Sequence, residues 1–167
     1  SEILSVFGSK QIRNLAAIGG NIAAASPIGD TLPLLMALEA KVILQNKEAK
    51  REVLITDFIA GYRKTNVAAD ELLISVNIPL KRNVEIFTTK ISKRNDMDIA
   101  TVSTAMVLKL SSDKKIESVR LFFGGMGPTS LEAKQTESYF KGKTWELATV
   151  ESAAQYLESD LSPITDA

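Results

Sequence analysis

The chain has 167 residues, of which 45% are hydrophobic and 24% charged, with twenty basic and twenty acidic side chains. That is enough apolar material for one ordinary domain or two small ones, and the balanced charge argues against a nucleic-acid partner. There is no Cys and no His, which excludes disulfides, iron–sulfur ligation and thiolate nucleophiles and removes the usual neutral-pH acid/base and metal ligand.

Redox chemistry in such a chain must therefore reside in a bound organic cofactor. No apolar run reaches about eighteen residues, so no membrane span is expected, and no signal-peptide pattern stands at the start. The lack of Cys fits a reducing cytoplasm.

Residues 1–10 carry Ile3, Leu4, Val6 and Phe7 and predict a short helix. Residues 11–30 (QIRNLAAIGGNIAAASPIGD) hold Gly19, Gly20 and Gly29 among Ala, Ser and Asn. A core wants large side chains, so this stretch reads as a loop that lets something approach the backbone. Asp30 or Thr31 can cap a helix, with Pro33 in its first turn and an end near Glu39. Residues 41–45 and 50–55 predict a hairpin, 56–59 a helical turn, 61–65 a polar connection, and 71–78 a strand stopped by Pro79.

The charged segment 81–83 marks a boundary. Beyond it, 84–92, 99–110 and 116–123 predict a three-stranded antiparallel meander. GGMGP at 124–128 closes it. Helices are expected from Thr129 to about Phe140 and from about 144 to 157. The fold class is α+β, in two small subdomains, 1–83 and 84–167. The first has about three strands and one helix with no obvious opposing layer, so a missing part is expected upstream.

Gly19 and Gly20 permit φ > 0 and bare N–H groups, an anion-binding concavity, with Asn21 beside them able to donate and accept. From the dipeptide alone, a tight turn between two elements is the favoured reading. The Gly-x-Gly-x-x-Gly fingerprint is absent. Asp30 suits a ribose or ribityl hydroxyl, or a helix cap. Lys90, Arg94, Asp96 and Asp98 suit a cofactor-side cluster, or a solvated hairpin tip. A divalent metal on Asp96 and Asp98 lacks a third ligand. GGMGP reads as a strand-to-helix turn rather than a second phosphate loop, and Tyr62 to Thr65 suit a phosphate contact or, equally, a surface loop.

The strings QIRNLAAIGGNIAAASPIGD, GYRKT, KISKRNDMDIA and FFGGM, in this order and spacing, resemble the FAD-binding portion of xanthine dehydrogenases and related molybdenum hydroxylases. The resemblance runs from about Phe7 to the C-terminus. It implies the second FAD-binding subdomain followed by the C-terminal flavoprotein subdomain, without the first subdomain and its phosphate loop. Phe7, Ala17, Gly19, Gly20, Asn21, Asp30, Leu73 and Lys90 match cofactor-contacting positions. Arg94, Asp96 and Asp98 match a loop implicated in access of the acceptor. Ala17 and Ala24 stand where some relatives carry Ser and Thr, so contacts there would be backbone or apolar. The implied reaction oxidises a purine at a molybdenum cofactor, and electrons pass through 2Fe-2S clusters to FAD and then to NAD or oxygen. The molybdenum and iron–sulfur centres belong to partner domains or subunits. Carbon monoxide, nicotinate or aldehyde hydroxylases are the alternative parents, and a docking module that holds no FAD is a third reading.

Overall fold

The segment LPLLMA forms the helix at the centre of the larger core cluster. In a computed structural model that describes residues 2–94 and 97–163, it is one of seven helices: α1 (Glu2–Val6), α2 (Lys10–Leu15), α3 (Ile18–Ala23), α4 (Leu32–Ala37), α5 (Ile55–Phe58), α6 (Lys134–Phe140) and α7 (Leu147–Asp160). Five of the six α4 residues are buried, as expected of a helix that is apolar all round. Pro33 sits where the first turn needs no N–H. The helix closes with Glu39 in the left-handed region at φ 58° and the Ala40 N–H donating to the Leu35 carbonyl, a Schellman closure made without glycine.

Among the described residues, nine strands form three antiparallel sheets. The first sheet orders β2 (Lys50–Leu54), β1 (Lys41–Gln45) and β5 (Leu72–Asn77). Val42 and Leu44 of β1 point into the core at 0% exposure, in the period-two pattern of a half-buried strand. Arg51 clamps Glu71 through two N–H···O bonds of 2.6 and 2.7 Å and so ties β2 to the start of β5. A small ribbon, β3 (Ile59–Gly61) with β4 (Lys64–Thr65), occupies the predicted polar connection.

The third sheet orders β6 (Glu85–Ile91), β7 (Val102–Leu110), β8 (Ile116–Gly124) and β9 (Leu131–Glu132). The predicted three-stranded meander is β6-β7-β8, and the two residues of β9 extend it. Because 131–132 pair with β8, the following helix starts at Lys134 rather than at Thr129. Asp160 takes over the capping role: its carboxylate accepts the N–H groups of Gln135 and Thr136 at 2.9 and 2.8 Å. Helix α7 lies on α6, with Tyr139 and Tyr156 stacked at 4.7 Å.

The core crosses the predicted boundary at 83. Ala105, Val107 and Phe122 of the third sheet join Leu32, Leu35 and Met36 of α4 and Val42 and Leu44 of β1 in one cluster. The opposing layer that the sequence leaves unassigned for the first half is thus supplied in part by β7 and β8. Leu108, Ile116, Phe140 and Ala153 make a second cluster under α6 and α7.

Candidate functional site

Residues 11–30 are not the loop expected from their composition. They form α2 and α3, joined by extended Ala16 and Ala17. The helices are short because little else supports them: α2 buries nothing and α3 buries Ile22. Ser9 starts α2, accepting the Ile12 N–H at 3.2 Å.

The glycine pair also behaves differently. Gly19 and Gly20 lie inside α3 and are absent from the positive-φ residues, so no left-handed turn requires them. Space does. A Cβ on Gly19 would sit 3.5 Å from Leu73 of β5, and one on Gly20 would meet nothing within 4 Å. Gly20 therefore presents bare backbone toward open space.

A cavity of about 260 Å³ opens beside this helix, lined by Leu4, Phe7, Arg13, Ala17, Asn21 and Thr31 among others. Three sequence-predicted residues, Phe7, Ala17 and Asn21, thus meet in it. Arg13 fixes its rim, donating from Nη1 to the Phe7 and Gly8 carbonyls at 2.7 and 2.9 Å. The Thr31 hydroxyl donates to Asn21 Oδ1 at 2.5 Å. Sequence reasoning missed Arg13 as a site residue and saw Thr31 only as a cap.

Asp30 is not a helix cap. Its Oδ2 lies 2.7 Å from Lys90 Nζ, and the two side chains are 8% and 6% exposed. Lys90 also donates to the Val6 carbonyl at 3.2 Å. The strand pattern explains the reach: Thr88 and Lys90 share the inward face of β6, so the ammonium enters the molecule where an aliphatic residue would normally stand. Asp30 Oδ1 is buried with no hydrogen-bond partner, an acceptor that a donor hydroxyl would satisfy. The pair joins α1, the turn before α4 and β6, adjoining the cavity through Thr31. Leu73 reaches the site through Gly19, from behind α3.

Arg94 and Asp98 are not part of the cavity wall. Asp98 holds its own turn, accepting the backbone N–H groups of Arg94 and Ile99 at 2.8 and 2.9 Å and the Arg94 guanidinium at 3.3 Å. The Arg94 side chain and these N–H groups hold the Asp98 carboxyl below its ordinary value. Asp96 lies outside the described residues. No group of three or more possible metal ligands forms among the described residues, and no helix there is long and apolar enough to cross a membrane.

GGMGP serves as a joint. The Gly125 N–H donates to the Pro27 carbonyl at 2.8 Å. A Cβ on Gly124 would strike Ser103 and press on Pro33, and one on Gly125, at φ 83°, would strike the Thr101 carbonyl. GYRKT is the β3–β4 turn, with Arg63 at φ 51° and its N–H on the Ala25 carbonyl at 3.2 Å. A wider cleft, about 380 Å³, lies elsewhere, against Glu39, Arg120, Glu132 and Lys134. Its charges are engaged with one another and with Lys81.

Residues 1–81 match the model of the FAD binding domain in molybdopterin dehydrogenase, and residues 87–167 that of the CO dehydrogenase flavoprotein C-terminal domain. The chain is 42% identical over 167 residues to a xanthine dehydrogenase/oxidase of Gallus gallus, covering 97% of the chain and 12% of that relative. A nicotinate hydroxylase of Emericella nidulans is 39% identical over 147 residues, 85% of the chain and 11% of the relative. The chain thus spans about one-eighth of the length of these curated relatives. Among solved structures, a carbon monoxide dehydrogenase from Hydrogenophaga pseudoflava superposes with a TM-score of 0.91 at 26% identity, over 99% of this chain and 57% of that one. The reconstituted CO dehydrogenase from Oligotropha carboxidovorans gives 0.90 at 26%, over 99% and 58%.

Proposed function

The chain belongs to the FAD-binding flavoprotein family of the molybdenum hydroxylases, and on that premise we propose that it is the flavin module of a xanthine dehydrogenase-like enzyme. In this reading, electrons from a molybdenum cofactor and 2Fe-2S clusters on partner domains or subunits leave through FAD to NAD or oxygen, in the cytoplasm. FAD, when bound, supplies the redox chemistry that a chain without Cys or His lacks. Residues 1–83 act as the second FAD-binding subdomain and 84–167 as the C-terminal flavoprotein subdomain.

The residues present fit the cofactor. Gly20 leaves open space over helical backbone. Phe7, Ala17 and Asn21 line the adjacent cavity, offering a ring, a small side chain and an amide. Asp30 and Lys90 form a fixed charge pair behind it, and Asp30 Oδ1 lacks a donor. The division of labour follows from these positions. The glycine backbone and Ala17 allow close approach, Asn21 orients polar groups of the dinucleotide, and Lys90 with Asp30 sets the local charge. The Arg94–Asp98 turn shapes acceptor access.

The cavity is one wall. Leu15 is 90% and Leu72 71% exposed on the neighbouring α2 and β5, so the flavin cleft is completed by a further part of the parent protein, and the chain by itself binds FAD weakly or not at all. A yellow purified chain would overturn this point.

The open space at Gly20 carries the reading, and Gly20→Ala tests it. Alanine in a helix is favoured over glycine by about 0.5–1 kcal/mol, and nothing blocks the new methyl. The variant should therefore be as stable as wild type or slightly more so, while the parent protein loses flavin occupancy. Full occupancy in Gly20→Ala refutes the placement. The higher identity to xanthine dehydrogenases than to the carbon monoxide enzymes favours the purine branch over the carbon monoxide alternative.

A further inference from the structure

The N-cap of α4 is occupied by Thr31, a residue type whose hydroxyl normally accepts an N–H from the first turn. It does not do so here. Pro33 has no N–H to give, and the hydroxyl is turned the other way, donating to Asn21 Oδ1 at 2.5 Å. Thr31 is 5% exposed and lines the cavity together with Asn21.

An amide side chain has one accepting and one donating end, and only its partners decide which faces outward. With Oδ1 held by Thr31, the Asn21 amide must present Nδ2 elsewhere. Among the described residues no protein acceptor takes that Nδ2 donor pair, and the atom is not among the buried unsatisfied ones. Asn21 therefore offers two fixed N–H donors to whatever enters.

We propose that Thr31 is a positioning residue that locks the Asn21 amide with its donors toward the cavity, making this wall selective for an acceptor oxygen of the flavin dinucleotide. This rests on the flavin reading above and adds to it a residue that acts through Asn21. Thr31→Val keeps the volume and the buried methyl but loses the hydroxyl. The freed amide then samples both orientations and loses part of its advantage for an acceptor.

The test uses the flavin-containing protein that carries this chain, with FAD removed and titrated back, and the variants Thr31→Val, Thr31→Ser, Asn21→Ala and Asn21→Ala/Thr31→Val. Thr31→Val should raise the FAD dissociation constant about three- to tenfold, the range expected for one neutral hydrogen bond. Thr31→Ser should stay within about twofold of wild type, since it keeps the hydroxyl. The double variant should bind no worse than Asn21→Ala alone, because Thr31 acts through the amide. Without flavin, the Asn21 side-chain NH₂ resonances should move in Thr31→Val and not in Thr31→Ser. Wild-type FAD affinity in Thr31→Val with weakened binding in Asn21→Ala overturns the inference and leaves the flavin site standing. Additive losses in the double variant overturn it too. Wild-type affinity in Asn21→Ala, or a parent that purifies without flavin, defeats the site reading and the inference with it.

Discussion

Asp30→Ala is the perturbation most sharply determined by the geometry. The carboxylate and the Lys90 ammonium are 2.7 Å apart, with side chains 8% and 6% exposed. Removing Asp30 leaves a buried ammonium whose remaining described partner is the Val6 carbonyl at 3.2 Å. Truncating one member of a buried pair costs about 3–5 kcal/mol, because the other charge stays desolvated and uncompensated. Against a total stability of about 5–15 kcal/mol for a domain, that is a large fraction. Asp30→Asn keeps an accepting oxygen and should cost less. Asp30→Leu with Lys90→Met removes both charges and should restore most of the loss. The assay is urea unfolding followed by circular dichroism, with the slope checked for constancy. A loss in Asp30→Ala below about 0.5 kcal/mol, or additive losses in the double variant, would refute the assignment of a coupled buried pair.

Burial pushes the Glu137 carboxyl up from 4.5 to about 7, helped by Glu132 and Asp160 and opposed by the Leu121 N–H and Arg120. The folded state then keeps a proton that the unfolded chain loses, so stability should fall as pH rises from about 4.5 to about 7. Glu137→Gln keeps an acceptor for the Leu121 N–H and should flatten that slope; an unchanged urea-midpoint profile would contradict it. Gly125→Ala should destabilise by about 2–4 kcal/mol, from strain at φ 83° plus collision with the Thr101 carbonyl, and a thermal melt reads it directly. Asp98→Ala should release the Arg94 turn and, in the parent enzyme, slow nicotinamide reduction more than purine oxidation assayed with an artificial dye. Equal effects in the two assays would remove the loop from acceptor access.

The strands were legible because their signal is periodic. β1 and β7 keep a period-two burial over most of their length, and charged or Pro-containing turns bound the meander. Residues 11–30 were misjudged in form. Small residues suppress helical periodicity, so α2 and α3 carry no amphipathic signal, yet the want of bulk there is what opens the cavity. Gly20 looked like a turn glycine because an adjacent glycine pair permits φ > 0, whereas the structure places it inside α3 without a positive φ. Thr31 and Asp30 were read as caps because their true partners, Asn21 and Lys90, lie ten and sixty residues away. Lys90 was singled out with the charged turn that follows it, whereas its bond is to Asp30 and not to that turn. Nor does composition show that the layer opposite the first half comes from the second.

That shared layer governs how the molecule comes apart. Helix α4 belongs to the first half by sequence but rests on β7 and β8 of the second. Neither half can therefore open without exposing apolar surface of the other, so a subglobal opening confined to one half is disfavoured. The stretches matched by the two family models share one apolar cluster. A substitution that loosens the meander should be felt at Thr31 and Asn21, although no residue of the cavity has been touched.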